Sequence, residues 1–334
     1  MKYLRLLLLP FSFLFWVFSS IKNFLYDFEI IKSFKVDKKI ICIGNITSGG
    51  TGKTPITIAI AKALLTRQKK ISVLLRGYKR TTKGYYEVNE IDPDKFGDEP
   101  VMIFSNLPDV KVIVSEDRVF AARKISESYD VDYILMDDGL QNRKIEKDFT
   151  IVVMDEENAS FMDKIYLPAG NLRESKNRLR TYSTIIKNYK FKSDQSKSIS
   201  DSKTFNCKYI LDGFYNINNE KIALEKLTGK NVLAFCGIAH PRSFFEMLNQ
   251  LKLQSNHNIS YSDHHYFTAD EIDGIIGLME QKKSELAITT EKDFVRIKKY
   301  NNKFSDNGLG LLYTKVSAEI ENLDSLINAI IKLN

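Results

Sequence analysis

The residues best suited to chemistry stand first in a glycine-rich run, GNITSGGTGKTP, residues 44–55. Glycines 49, 50 and 52 let backbone N–H groups turn inward around an anion. Lys53 would set a positive charge against β- and γ-phosphates, and Thr54 offers a hydroxyl to Mg2+. The loop Thr47, Ser48, Gly49, Gly50, Thr51, Gly52, Lys53 and Thr54 is therefore expected to bind a nucleotide. Thr47 stands where the usual pattern has its first glycine, which requires only that this position avoid positive φ. Further on, the apolar run Tyr133–Met136 ends in Asp137 and Asp138. One such carboxylate can hold Mg2+ directly or through water while the other orients the ion or the nucleophile.

Three further groupings carry weaker signals. The acids Asp98 and Glu99 of FGDEP (96–100) read in isolation as a solvated turn ending at Pro100. DHH (263–265) holds two of the four histidines at an expected strand end. Neighbours on a strand point to opposite faces, so at most one of the two serves a given site and a metal pair is disfavoured. NLRESKNRLR (171–180) carries four basic residues. Its default reading is a wet helix face, and its sharper one a phosphate or headgroup clamp.

These groups need strands and helices to hold them. Apolar, β-rich runs at 39–46, 70–78, 110–117, 131–138 and 149–156 read as buried, mostly parallel strands. Residues 53–67 and 117–129 have helical spacing, giving the β-α-β rhythm of a doubly wound sheet with ligands at the strands' carboxyl ends. A further strand is expected at 181–188, and the polar stretch 189–204 reads as an exposed connection. A second α/β block follows. It has a strand at 230–238, a helix opened by Pro241 and running to about residue 251, and the segment 258–266. A helix capped by Thr268 or Asp270 comes next, then strands at 285–290 and 310–316.

A length of 334 residues favours two domains. The cysteines, Cys42, Cys207 and Cys236, are far apart in sequence, which argues against a zinc site or disulfide framework. A net charge of +7 suggests acidic partners. Aromatic and basic residues do not interleave as base-stacking modules require, so nucleic acid is not expected. Leu6–Ile21 carries no charge and is flanked by Lys2, Arg5 and Lys22. As a helix it rises about 24 Å, short of a bilayer core of roughly 30 Å. A signal peptide would have the same basic start, but no small-x-small cleavage site follows. The reading is an anchor or shallow insertion, with spanning and dipping both open and the rest of the chain cytoplasmic.

Together these residues resemble the tetraacyldisaccharide 4'-kinase family, the lipid A 4'-kinases of Gram-negative bacteria. The likeness rests on residues 44–55, LLRGY (74–78), GDEP (97–100), SEDRV (115–119), DDGLQN (137–142), LPAGNLRES (167–175), GIAHPRSFF (237–245), DHHYFT (263–268) and TEKD (290–293), in that order behind an apolar N-terminus. The family's loop also lacks its first glycine, as Thr47 does here. The resemblance implies two α/β/α P-loop/Rossmann-like domains joined by a short β linker, with ATP in the cleft and an N-terminal apolar membrane-associating helix. The implied division is a helix at 1–30, a P-loop kinase domain at 31–205, linker strands at 206–228 and a smaller C-terminal α/β domain at 229–334.

The implied reaction is Mg2+-dependent transfer of the ATP γ-phosphoryl group to the 4'-hydroxyl of a lipid disaccharide 1-phosphate. It would take place at the anionic, cytoplasmic face of the inner membrane, with the enzyme acting as a monomer. The resemblance further implies Asp98 as the acceptor of the hydroxyl proton, paired with His264 from the other domain. Lys53 and Thr54 would lie on phosphates and Mg2+, Asp137, Asp138 and Glu99 beside the metal, and Arg118 and Arg173 near phosphates or sugar. Departures from the family pattern are Asn142 for a common histidine, Asn171 and Ser175 for common prolines, and His265 beside His264. The alternative is a membrane-associated ParA/MinD-like ATPase. That class carries a signature lysine where this chain has Ser48, and it lacks a second α/β domain with an Asp-His segment. A GTPase would need an N-K-x-D base reader, and TEKD lacks the asparagine.

Overall fold

The computed structural model describes residues 4–157, 159–191 and 203–333. A 3₁₀ turn at Leu4–Leu8 leads into helix α1, Leu9–Asp27. Strand β1 (Lys39–Gly44) runs into the glycine loop, from which helix α2 (Lys53–Thr66) starts, and β2 (Ile71–Leu75) follows. Next come β3 (Tyr86–Glu87), α3 (Pro93–Phe96), α4 (Asp98–Asn106) and β4 (Lys111–Val114). The first half closes with α5 (Arg118–Ser128), β5 (Tyr133–Asp137), β6 (Phe149–Asp155) and β7 (Thr184–Asn188). The second half opens with β8 (Thr204–Tyr215) and β9 (Lys221–Ile222). It continues through β10 (Asn231–Cys236), α6 (Pro241–Gln250), β11 (Gln254–Ser260) and α7 (Ala269–Gln281). It ends with β12 (Leu286–Thr290), α8 (Glu291–Ile297), α9 (Asn301–Asp306), β13 (Gly310–Ile320) and α10 (Leu323–Ile331).

The strands form one sheet in the order β11-β10-β12-β13-β8-β7-β6-β1-β5-β2-β4-β3, with β9 attached to β8. Apart from the pairings of β8, pairing is parallel within each half except for the edge pair β3/β4; β9 pairs antiparallel with β8. Strand β8 is the junction, parallel to β7 and antiparallel to β13. The inner strands are apolar on both faces because helices cover both, as Ile41, Ile43, Leu135 and Ile151 on one side and Ile40, Ile134 and Met136 on the other illustrate. In α7, Ile272, Ile275, Ile276 and Met279 make one buried stripe. Thr268 is its cap, in a reciprocal box with Glu271.

Several expectations need correction. FGDEP is not a turn ending at Pro100, because Asp98 and Glu99 open α4. Strand β11 ends at Ser260, so the two histidines of 263–265 lie in a turn after it. The basic segment 171–180 is an extended stretch and a 3₁₀ turn at Lys176–Thr181, not an α-helical face. Helices α8 and α10 follow 285–290 and 310–316, and β13 runs on to Ile320. Of the polar connection 189–204, residues 192–202 lie outside the described residues.

Helix α1 is long and apolar enough to cross a membrane, and its two faces are inverted relative to a soluble amphipathic helix. Its protein-facing stripe is polar. Ser12 Oγ accepts from Ala169 N (2.9 Å), and Lys22 Nζ donates to the carbonyl of Gln141 (2.9 Å). Ser19 Oγ donates to the carbonyl of Arg173, and Asn23 accepts from Arg143 (both 3.5 Å). Its outward side exposes Phe11, Leu14, Phe18 and Ile21, and Leu7 of the preceding turn is exposed as well.

Candidate active site

The glycine loop is fixed from behind. Asn188 Nδ2 donates to the carbonyl of Thr51 (2.9 Å), Tyr209 Oη to that of Gly52 (3.1 Å) and Lys190 Nζ to that of Gly50 (3.3 Å). Gly49 and Gly52 have φ of 111° and 87°, which side-chain-bearing residues rarely adopt. A Cβ at Gly52 would also collide with Tyr209 and Asn188. Gly52 caps α2 without a side-chain acceptor, so the first-turn N–H groups are available to an anion in the loop's hollow. Thr47 forms an antiparallel bridge with Leu172, and Ser48 N donates to the carbonyl of Asn171 (2.6 Å). This paired, extended backbone admits a side chain where the usual loop has glycine.

Asp137 and Asp138 end β5 beside Lys53. Lys53 Nζ lies 3.5 Å from Asp138 Oδ1, and Arg173 Nη1 reaches both Asp138 oxygens at 3.2 and 3.3 Å. The two acids titrate in opposite directions. Asp137 is 1 % exposed, and burial, with the charge of Glu99 adding to it, pushes its carboxyl up to about 7. For Asp138 burial also pushes upward, but Lys53 and Arg173 outweigh it and hold the carboxyl below its usual value. Asp137 Oδ2 is buried without a hydrogen-bond partner. Arg118, the first residue of α5, is buried, and desolvation lowers its pKa to about 10 against the pull of Asp138. Its Nη1 donates to the carbonyl of Ser115 (2.6 Å), and its Nε has no partner among the described residues.

The structure brings Asp98 and His264 together across 166 residues of sequence, with His264 Nδ1 3.0 Å from Asp98 Oδ2. Asp98 is 5 % exposed and is also bound by Arg296 Nη2, with Lys292 Nζ at 3.7 Å. Lys292 Nζ is 3.1 Å from His264 Nε2 and 3.2 Å from Asp263 Oδ1, and Arg296 Nη1 donates to Asp293 (3.2 Å). Burial, with Lys292 adding to it, lowers the pKa of His264. His265 turns away and binds the Glu271 carboxylate at 3.0 Å. One histidine therefore serves the site, although the reason is a turn with His264 at φ 56° rather than strand alternation.

Sequence reasoning missed Lys292 and Arg296. They are four apart on α8, and Lys292 lies inside TEKD, whose fourth residue has a plain structural role. Asp293 N donates to Thr290 Oγ1 (3.1 Å), and Asp293 accepts from Gly237 N (2.9 Å), so TEKD caps α8 rather than reading a base. Two departures are also accommodated. Asn171 Nδ2 donates to Asp163 (2.9 Å), and Ser175 caps the 3₁₀ turn that follows it.

One cleft of about 1380 Å³ joins these parts. Loop residues 48–54, Glu99, Arg118, Asp137, Asp138, Arg173, His264 and Lys292 line it, along with Phe15, Phe18 and Lys22 of α1. Asp98 and Thr47 are not part of its lining. Among the described residues no three His, Cys, Asp or Glu side chains form a ready-made metal site. The unpartnered Asp137 oxygen, in the same cleft as Thr54 and Asp138, still suits Mg2+, which takes one or two protein carboxylates and completes its shell with phosphates and water.

A phosphate loop, paired acids at a neighbouring strand end and a second acid–histidine pair across the cleft define a P-loop phosphotransferase. The profile of the Tetraacyldisaccharide-1-P 4'-kinase (LpxK) family matches residues 4–332, and the chain belongs to that family. The Tetraacyldisaccharide 4'-kinase of Flavobacterium johnsoniae is 33 % identical over 310 residues, covering 89 % of each chain. That of Haemophilus influenzae is 33 % identical over 319 residues, covering 94 % of this chain and 88 % of the relative. The crystal structure of "apo" form LpxK from Aquifex aeolicus in complex with ATP superposes with a TM-score of 0.80 at 28 % identity, covering 99 % of both chains.

Proposed function

We propose that the protein is a tetraacyldisaccharide 4'-kinase, moving the ATP γ-phosphoryl group to the 4'-hydroxyl of a tetraacyldisaccharide 1-phosphate. The observation that carries this reading is a single cleft whose walls hold the Lys53 loop, His264 with Asp98 behind it, and the apolar helix α1. The acceptor oxygen bonds to the γ-phosphorus, the bond to the β,γ-bridging oxygen breaks, and ADP leaves. The loop N–H groups and Lys53 cradle the phosphates, while Arg118 and Arg173 offset charge that grows on the transferring group. Thr54, Asp137 and Asp138, with Glu99 nearby, would hold Mg2+, whose charge would further neutralise the phosphates.

The hydroxyl proton passes to the Asp98–His264 pair. Both ring nitrogens lie beside cations, Lys292 Nζ at Nε2 and Arg296 Nη2 at Nδ1 (both 3.1 Å), and Nδ1 also lies 3.0 Å from Asp98. The tautomer with its hydrogen on Nδ1, directed at Asp98, leaves Nε2 to accept the hydroxyl proton once the substrate displaces Lys292. His264 is the member that faces the cleft, and Asp98 sets its tautomer and balances the charge it gains. Because the whole length of α1 lies along the protein, the reading is shallow insertion into the interface rather than spanning. The lipid substrate then enters from an anionic inner-membrane surface on the cytoplasmic side, and a monomer suffices, with no role for nucleic acid.

The test incubates purified protein with ATP labelled in the γ-phosphate and the acylated disaccharide 1-phosphate in detergent. Label in the lipid supports the reading. Hydrolysis of ATP to labelled phosphate with unlabelled lipid would favour the ParA/MinD-like ATPase.

A further inference from the structure

We propose that α5 and the segment 28–34 form a second contact with an anionic bilayer, beside the cleft that α1 also lines; this rests on the interfacial reading of α1. The segment Phe28-Glu29-Ile30-Ile31-Lys32-Ser33-Phe34 runs on directly from α1. Its apolar residues Phe28, Ile30, Ile31 and Phe34 are all exposed although the backbone is tied down. Phe34 N donates to the carbonyl of Lys144 and its own carbonyl accepts from Glu146 N, both at 2.8 Å. The side chain is thus held outward by a fixed main chain.

Helix α5 continues the patch. The Arg123 guanidinium lies 5.0 Å from the Phe34 ring, and Phe120, three residues earlier on the same face, is 53 % exposed. The Phe120 ring meets Tyr85 edge-on at 6.2 Å, with Lys124 over Tyr85 at 4.1 Å. Rings at the surface flanked by Lys and Arg that extend past them are the composition of an interfacial contact. The rings enter the headgroup boundary and the cations stay with lipid phosphates. Continuity with α1 supplies the second argument. Arg118 and Val119 line the cleft while the next residue, Phe120, faces out, just as Phe15 and Phe18 line it from α1. Apolar surface next to both sets of lining residues would set the cleft against the lipid.

Trp16 on α1 is the protein's one tryptophan, which allows each contact to be read separately. Wild-type protein, Trp16→Phe/Phe120→Trp and Trp16→Phe/Phe34→Trp are mixed with phosphatidylethanolamine–phosphatidylglycerol vesicles with and without brominated acyl chains. Blue-shifted emission quenched by bromine at position 120 or 34 is expected and supports the second contact, whatever Trp16 does. Solvent-like, unquenched emission at both positions overturns it. In that case a quenched Trp16 leaves the α1 reading standing, and an unquenched Trp16 removes that as well. A blue shift without vesicles that grows with protein concentration would assign the patch to a second copy and overturn the proposal. In parallel, Phe120→Glu is expected to lower transfer to acceptor embedded in vesicles severalfold and to leave transfer in detergent unchanged. Equal loss in both would also count against the proposal.

Discussion

Replacing Asp98 with asparagine tests whether its charge serves the chemistry or only the packing of α4 on α8. The side chain is almost fully buried and meets Arg296, Lys292 and His264. Removing one member of a buried ion pair typically costs about 3–5 kcal/mol because the partner is stranded. Here each cation keeps another acid, since Arg296 retains Asp293 and Lys292 retains Asp263. The expected loss of stability is therefore smaller, about 1–3 kcal/mol. For a chain of this size that lowers Tm by a few degrees, on the order of 2–4 °C per kcal/mol at most. Loss of the carboxylate that orients the accepting imidazole and balances its charge lowers the rate by about 10²–10⁴. The two effects separate in Asp98→Asn/Arg296→Met, where the guanidinium stranded from Asp98 is removed while Asp293 keeps its bonds from Gly237 N and Thr290 Oγ1. Differential scanning fluorimetry should show Tm moving back toward the wild type, while transfer of labelled phosphate at 25 °C stays as low as in the single variant. Recovery of transfer to within tenfold of wild type in the double variant would refute the reasoning and leave Asp98 a purely structural charge.

Three other expectations follow from the same geometry. Lys53→Met removes the cation next to Asp138 and opposite the phosphates, so nucleotide affinity should fall at least tenfold by calorimetry; unchanged affinity would move the phosphates away from the loop. Asp137 titrates at about 7 against 3.8 for an ordinary aspartate, so the folded protein keeps a proton that the unfolded chain has lost. That contribution is complete below the unfolded value and disappears as pH rises through about 7. The Tm of metal-free wild type should thus decline over this interval more steeply than that of Asp137→Asn, and parallel curves would contradict the burial. Phe11→Glu/Leu14→Glu changes only the outward side of α1 and should release the protein from vesicles in a flotation assay without lowering ATP affinity; continued flotation would place the anchor elsewhere.

What could be read along the chain was local. Residues 39–54 announce strand, loop and helix through adjacent residues, and the Asp137–Asp138 pair follows four apolar positions of a buried strand. The Asp98 cluster could not be read this way, because its members come from α4, the turn after β11 and α8, brought together only by the sheet order. Without those partners, Asp98 and Glu99 before a proline look like a wet turn. The polar stripe of α1 was visible at helical spacing in Ser12, Ser19, Lys22 and Asn23, but the surrounding apolar residues hid it. Only contacts with residues 141–143 and 169–173 show which side faces the protein. The apolar pattern Leu326, Ile327, Ile330 of α10 was equally legible and went unused.

The sheet also limits how the cleft can open. Strand β8 is hydrogen-bonded to β7 of the first half and to β13 of the second, so the halves cannot part along that side without breaking a ladder. Across the cleft they are held by Asp98 against His264 and Arg296, and by Asn106 Nδ2 donating to Glu291 (2.8 Å). Opening must therefore bend the molecule about β8 and break that polar cluster, whose members can be rehydrated, rather than the hydrogen-bonded ladder. The Asp98–His264 pair proposed to take the hydroxyl proton is thus also the contact that closes the cleft. In the proposed reaction an acceptor that binds at His264 meets this contact, so its binding would be coupled to closure of the two halves.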